Sequence, residues 1–156
     1  MSKKYILPSD IAHDINRRRN QIDERLAATL SLLEQAPLDD VHTVLDIGFG
    51  NGEITKWLSR RGKIVTAIGL EISSYNIDTS VLTKQFGVSI CEATLEKLPF
   101  KDNSFDAIVM SHVLEHCLNV GISLQDARRV LKDGGLLIVF VPPSMGWVAS
   151  GHVSVG

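Results

Sequence analysis

The order of apolar segments predicts an α/β fold, a mostly parallel sheet with helices on both faces. Three observations carry that expectation. From Val41 to Val141, short apolar runs alternate with helical stretches, a pattern that specifies parallel strands joined by crossovers covering both faces. A glycine-rich turn, Gly48-Phe49-Gly50-Asn51-Gly52, follows the first run and lets a ligand approach backbone amides closely. Glu71 closes the second run, where an acceptor-only carboxylate suits the two hydroxyls of a ribose.

Residues 1–40 are expected to form a helical segment, a lid or cap on a domain of residues 41–156. Ile11, Ile15, Ile22, Leu26, Leu30 and Leu33 draw one helical stripe, with Ser9 or Asp10 as cap and Pro37 as stop. Arg17-Arg18-Arg19 interrupts it, which predicts a bend and a solvated face. Thr43–Ile47 reads as the first strand and Glu53–Arg61 as a helix ending at Gly62. Lys63–Leu70 reads as the second strand, Ser74–Lys84 as a helix, and Val88–Cys91 as the third strand after Gly87. Asp106–Met110 follows as the fourth strand. The spacing then predicts a helix over Ser123–Lys132, stopped by Asp133-Gly134-Gly135, and a fifth strand over Leu136–Val141.

Composition narrows the function. With 16 Lys+Arg against 18 Asp+Glu, the formal net charge is −2, which argues against wrapping duplex nucleic acid by charge. Cys91 and Cys117 stand outside any CxxC spacing, so neither a disulfide framework nor a zinc ribbon is expected. Buried free thiols in a reducing compartment fit better. No apolar core follows Lys3-Lys4, and Leu136–Val141 is too short to span a bilayer as a helix. The chain is expected in the cytoplasm.

The glycines fall as GxGxG, whereas the dinucleotide fingerprint needs its last glycine at position 53, which is Glu53. Asp46, just before the turn, likewise favours a cationic ligand over a pyrophosphate. Together the turn and Glu71 ask for a nucleoside attached to a cationic or zwitterionic group.

Val44-Leu45-Asp46-Ile47-Gly48-Phe49-Gly50-Asn51-Gly52 and Gly69-Leu70-Glu71-Ile72 resemble the first two motifs of the class I S-adenosylmethionine-dependent methyltransferases. Ala93–Phe100 with Asp102–Asp106, Ser111–His116 and Arg129–Gly135 resemble later blocks of the small-molecule branch. The resemblance implies a Rossmann-like methyltransferase fold with S-adenosylmethionine as cofactor. It implies that Gly48, Gly50 and Gly52 line the methionyl end and that Asp46 helps hold the ammonium. Glu71 would take the ribose hydroxyls, Ile72 would pack on the adenine, Thr94 and Leu95 would edge the base, and Ser111 would complete the set. Phe49 departs from the small residue usual there, and Thr94 stands where an aspartate is usual.

His116 is the expected proton acceptor near the substrate mouth. His112-Val113-Leu114-Glu115-His116 also matches a zinc-peptidase spacing that puts two imidazoles on one helical face. No glutamate follows Glu115 to serve as third ligand, so no metal is expected. The motifs of amino-methylating and cytosine-methylating nucleic-acid enzymes are missing after the fourth strand. A small-molecule, sugar or lipid-linked acceptor is therefore expected, and no nucleic acid. A cofactor-binding subunit without catalysis and a nicotinamide-dependent oxidoreductase are the alternatives, the latter disfavoured by GxGxG and Asp46. The family's sheet ends in an antiparallel hairpin that residues 145–156 cannot supply. A C-terminal truncation is expected, with the open sheet edge prone to form a homodimer.

Overall fold

The computed structural model describes residues 24–72 and 77–141. The chain divides into two units, Met1–Ala36 and Pro37–Gly156. In the first, residues 24–33 are helical and carry Leu26, Leu30 and Leu33 of the apolar stripe. The earlier part of the stripe, its caps and the arginine run lie outside the described residues.

The second unit contains β1 (Thr43–Ile47), α1 (Glu53–Arg60), β2 (Ile64–Gly69), α2 (Thr79–Phe86) and β3 (Ser89–Glu92). These are followed by β4 (Phe105–Ser111), a 3₁₀ turn (Leu114–His116), α3 (Val120–Val130) and β5 (Leu131–Phe140). The strands lie in the order β3-β2-β1-β4-β5, and every neighbouring pair is parallel. The expected α/β architecture is therefore the observed one.

Strand periodicity divides the core. Leu45 and Ile47 of β1 cluster with Ile68, Ile108 and Met110 and with Ala127 and Val130 of α3. Asp46, on the opposite face of β1, meets Thr55 of α1. Helices consequently cover both faces, as parallel crossovers running in opposite directions from a central strand require.

Several boundaries moved, each for a local reason. α2 begins at Thr79, where the Asp78 carboxyl caps it, accepting from Ser80 N at 2.9 Å; the expected start at Ser74 lies outside the described residues. α3 begins at Val120 rather than Ser123, because the Asn119 side chain accepts from Ile122 N at 3.0 Å. It also ends two residues early. Leu131 is buried and pairs with Phe105, while Leu136 pairs with Ala107. Lys132–Gly135 therefore forms a bulge within β5 rather than a helix stop. Cys91 and Cys117, expected to be buried, are half-buried free thiols.

At the N-terminal ends of the strands one carboxylate gathers three of them. Asp106 Oδ2 accepts from His42 N, Thr43 N and Thr43 Oγ1 at 3.0, 2.7 and 2.8 Å. Its Oδ1 accepts from Lys132 Nζ at 2.7 Å. The lysine first, then the Thr43 and His42 donors, hold this carboxyl well below the usual carboxylate range against the cost of burial.

A second clamp fixes the loop before β4. Arg129 donates to both carboxylate oxygens of Asp126, to Asp102 Oδ1, and to the carbonyls of Leu98 and Phe100. The planar fork of guanidinium allows this many partners at once.

Asp106→Ala is expected to cost about 3 kcal/mol near neutral pH, since charged hydrogen bonds to several donors are lost together. The folded-state pKa is depressed, so the contribution is present above the unfolded value of about 4 and fades as pH falls through both. Urea denaturation of both proteins at about pH 7 and about pH 3 measures it. An unchanged gap between them would contradict the assignment.

Candidate functional site

In a parallel sheet, ligands meet the crevice beyond the carboxyl ends of the strands, where the strand order reverses. Here that point lies between β1 and β4. The turn after β1 and the segment after β4 flank it.

The turn leaves β1 with Gly48 N donating to Ile68 O at 2.8 Å and Gly52 N donating to Phe49 O at 2.8 Å. Gly48 has φ 75° and Gly52 φ 78°, conformations that side chains resist. Space is tight for side chains as well. A Cβ on Gly48 would come within 2.9 Å of Val113 Cγ2, and one on Gly52 within 3.0 Å of Leu82 Cδ1. The first glycine admits the segment after β4, and the third admits α2. Gly52 is also the N-terminal cap of α1, in the left-handed region and without a side chain to satisfy the helix's first amides.

Asp46 is 1% exposed. Its Oδ2 accepts a hydrogen bond from Thr55 Oγ1 at 2.5 Å, which ties the end of β1 to α1. Burial pushes its pKa up to about 6, with the Thr55 hydroxyl pulling in the opposite direction.

Glu71 lies exposed just past β2 with φ 51°. The next amide, Ile72 N, donates to Glu92 Oε1 at 3.2 Å, so a carboxylate on β3 steadies the segment that carries Glu71. Beyond β3, Ala93 N donates to Gly69 O at 3.1 Å, and Thr94 O accepts from Lys97 N at 3.3 Å. Thr94 is exposed on this turn, whereas Leu95 packs on the core.

Ser111 closes β4 opposite Phe140. His112 follows at φ 53°, with its backbone N–H donating to Phe140 O at 2.8 Å. Its Nδ1 lies 3.7 Å from Glu115 Oε1. His116 is exposed on the 3₁₀ turn, with its N–H donating to Val113 O at 3.0 Å. The segment is a 3₁₀ turn rather than an α-helix, so the shared helical face that the zinc-peptidase spacing would give His112 and His116 does not form. Among the described residues no group of three or more His, Cys, Asp or Glu side chains could hold a metal ion.

Topology therefore brings the glycine turn, Glu71 with Ile72, Thr94 with Leu95, and Ser111 through His116 to one edge of the sheet. An open cavity of about 290 Å³ lies to one side, lined by Asn51, Lys56, Ile77, Asp78 and Val81. It touches the turn only through Asn51, and the strand ends define the site better. Thr55, Val113 and Glu92 escaped the sequence reading. Only the demand of a buried Asp46 for a donor could have signalled Thr55; the other two contacts have no local signature.

The methyltransferase domain family matches residues 45–139. The demethylmenaquinone methyltransferase of Tropheryma whipplei (strain Twist) is 41% identical over 96 residues, 62% of this chain and 40% of that protein. The ubiquinone/menaquinone biosynthesis C-methyltransferase UbiE of Hahella chejuensis is 35% identical over 104 residues, 62% of this chain and 41% of that protein. The chain thus spans about two fifths of the length of the curated relatives it matches. A SAM-dependent methyltransferase from Aquifex aeolicus superposes with a TM-score of 0.62 at 25% identity, covering 70% of this chain and 61% of that one. The YcgJ protein of Bacillus subtilis superposes with a TM-score of 0.64 at 25% identity, covering 75% and 50%.

Asp46→Asn tests the buried carboxyl. A raised folded-state pKa means the group stabilises the fold below its unfolded value of 3.8, and that contribution disappears as pH rises through about 6. Near neutral pH the substitution should therefore stabilise the fold by an amount on the order of 3 kcal/mol relative to its effect at about pH 4. Urea denaturation of both proteins across this range reads the difference. A pH-independent gap would refute the assignment.

Proposed function

The chain belongs to the family of methyltransferase domains with S-adenosylmethionine as cofactor, and on that premise we propose that it methylates a small apolar acceptor resembling a quinol. The observation that carries the proposal is the glycine turn at the switch point, inside the region that matches the family. The residues fit the cofactor. Gly48 and Gly52 hold left-handed backbone with Val113 and Leu82 close to where a Cβ would lie, so the turn offers backbone at both positions. Glu71 supplies an acceptor at the end of the adjacent strand.

When bound, the cofactor supplies a methyl group already activated by a sulfonium charge. Gly48, Gly50 and Gly52 line its methionyl end. Asp46 holds the turn through Thr55 and places negative charge behind the ammonium. Glu71 accepts from the ribose hydroxyls, Ile72 packs on the adenine, and Thr94 and Leu95 edge the base. Ser111 borders the crevice on the β4 side. His116, exposed beyond β4, takes the proton that leaves the acceptor.

The acceptor class rests on two supports. The two relatives described above carry quinones in their names. Leu118, Val120 and Ile122, just past the histidine turn, are 97%, 43% and 46% exposed, an uncharged rim suited to an apolar molecule. No described helix is long and apolar enough to cross a membrane. The two unpaired thiols suit the cytoplasm, and the near-neutral charge suits a small acceptor better than nucleic acid. β5 is an edge strand among the described residues, and pairing of such an edge with a second copy would give a homodimer.

Isothermal titration should show S-adenosylhomocysteine binding and no NAD binding, with Glu71→Ala weakening the former at least about tenfold. Equal affinity in the variant would sink the ribose assignment. Transfer of labelled methyl to a short-chain demethylated naphthoquinol is expected to fall about a hundredfold in His116→Ala. A variant as active as the parent across pH would remove His116 from the mechanism. Light scattering at increasing concentration should report a dimer; a monomer throughout would exclude the edge-mediated contact.

A further inference from the structure

Val113 stands between the two halves of the site. Its half-buried side chain packs on the central core cluster. It also occupies the space where Gly48 would carry a Cβ, with Cγ2 at 2.9 Å, its own Cβ at 3.1 Å and Cγ1 at 3.9 Å from that position. The valine is held on both sides. The preceding residue, His112, is pinned through its N–H to Phe140 O at 2.8 Å, and Val113 O accepts from His116 N at 3.0 Å and from Cys117 Sγ at 3.6 Å. A β-branched side chain is stiff about its first torsion, so a valine anchored this way transmits displacement instead of absorbing it.

We propose that Val113 is a positioning residue that seats the glycine turn through Gly48 and makes that turn and the histidine turn one mechanical unit. The inference rests on the reading above that the glycine turn meets the methionyl end of the cofactor. Gly48 is then required twice over. Its φ of 75° is open chiefly to glycine, and a side chain there would press on Val113. A shift of the turn would displace Val113 and, with it, the backbone hydrogen bond to His116.

Two ligands separate positioning from general stability. S-adenosylhomocysteine carries the amino-acid end, whereas 5′-methylthioadenosine lacks it. Val113→Ala should weaken the former about tenfold and leave the latter within about twofold, since the amino-acid end is the part that meets the glycine turn. Val113→Ile keeps the branched carbon and both γ carbons, and should restore affinity for the former. Equal losses for both ligands, or no loss for either, would overturn the proposal.

The double-substitution cycle gives an independent reading. Gly48→Ala alone should weaken S-adenosylhomocysteine binding about thirtyfold, from strain and contact together. Adding Val113→Ala should recover about tenfold of that, and the thermal shifts of the pair should be non-additive. No recovery, or strictly additive thermal shifts, would refute the contact. If the wild-type chain bound neither ligand, the cofactor reading would fall, and the thermal cycle would still decide for or against the Val113–Gly48 joint.

Discussion

Asp46 lies in the central strand, covered on both faces, and its carboxyl is held by the hydroxyl of Thr55. A buried carboxyl without a donor would be costly, so this bond ties the end of β1 to the first helix that leaves it. The angle of departure is thereby set. With it comes the path of the glycine turn, which must pass between α2 at Gly52 and Val113 at Gly48. The crevice at the switch point is shaped from beneath by this constraint.

The two ends of the sheet divide the work. At the N-terminal ends Asp106 gathers β1, β4 and β5 with hydrogen bonds from backbone, hydroxyl and ammonium. Arg129 staples the loop entering β4 to α3. These charged knots lie away from the crevice and fix the framework. At the C-terminal ends polar control is lighter: Glu92 steadies the backbone next to Glu71, and Glu96 Oε1 accepts from Leu118 N at 3.2 Å. Two residues there, Glu71 and His112, hold left-handed backbone without being glycine. Such strain persists where the surroundings overdetermine it, and it concentrates at functional positions.

Most elements were legible because their signals are local. β1 occupies the residues its apolar run predicted, Thr43–Ile47, and Gly87 closes α2 in the left-handed region before β3. The misplaced helix starts involved side chains that act on backbone. Asp78 and Asn119 moved helix starts by accepting from the amides of Ser80 and Ile122. Leu131 looked like a helical residue by spacing, and its burial beside Phe105 drew it into a strand instead. The two-glycine sequence after it became a bulge, because the residues beyond it had to regain register with β4.

The sequence by itself determined the alternation of strands and helices, the glycine turn, the acid after the second strand and hence the kind of ligand. Each depends on periodicity or on conformations open only to particular residues, which neighbouring positions reveal. Tertiary structure alone decided that the Asp46 carboxyl accepts from Thr55 and that His112 and His116 do not share an α-helix. It also decided that Val113 fills the space Gly48 leaves. These are contacts between elements distant in the chain, where close packing selects the partner and no local pattern records the choice.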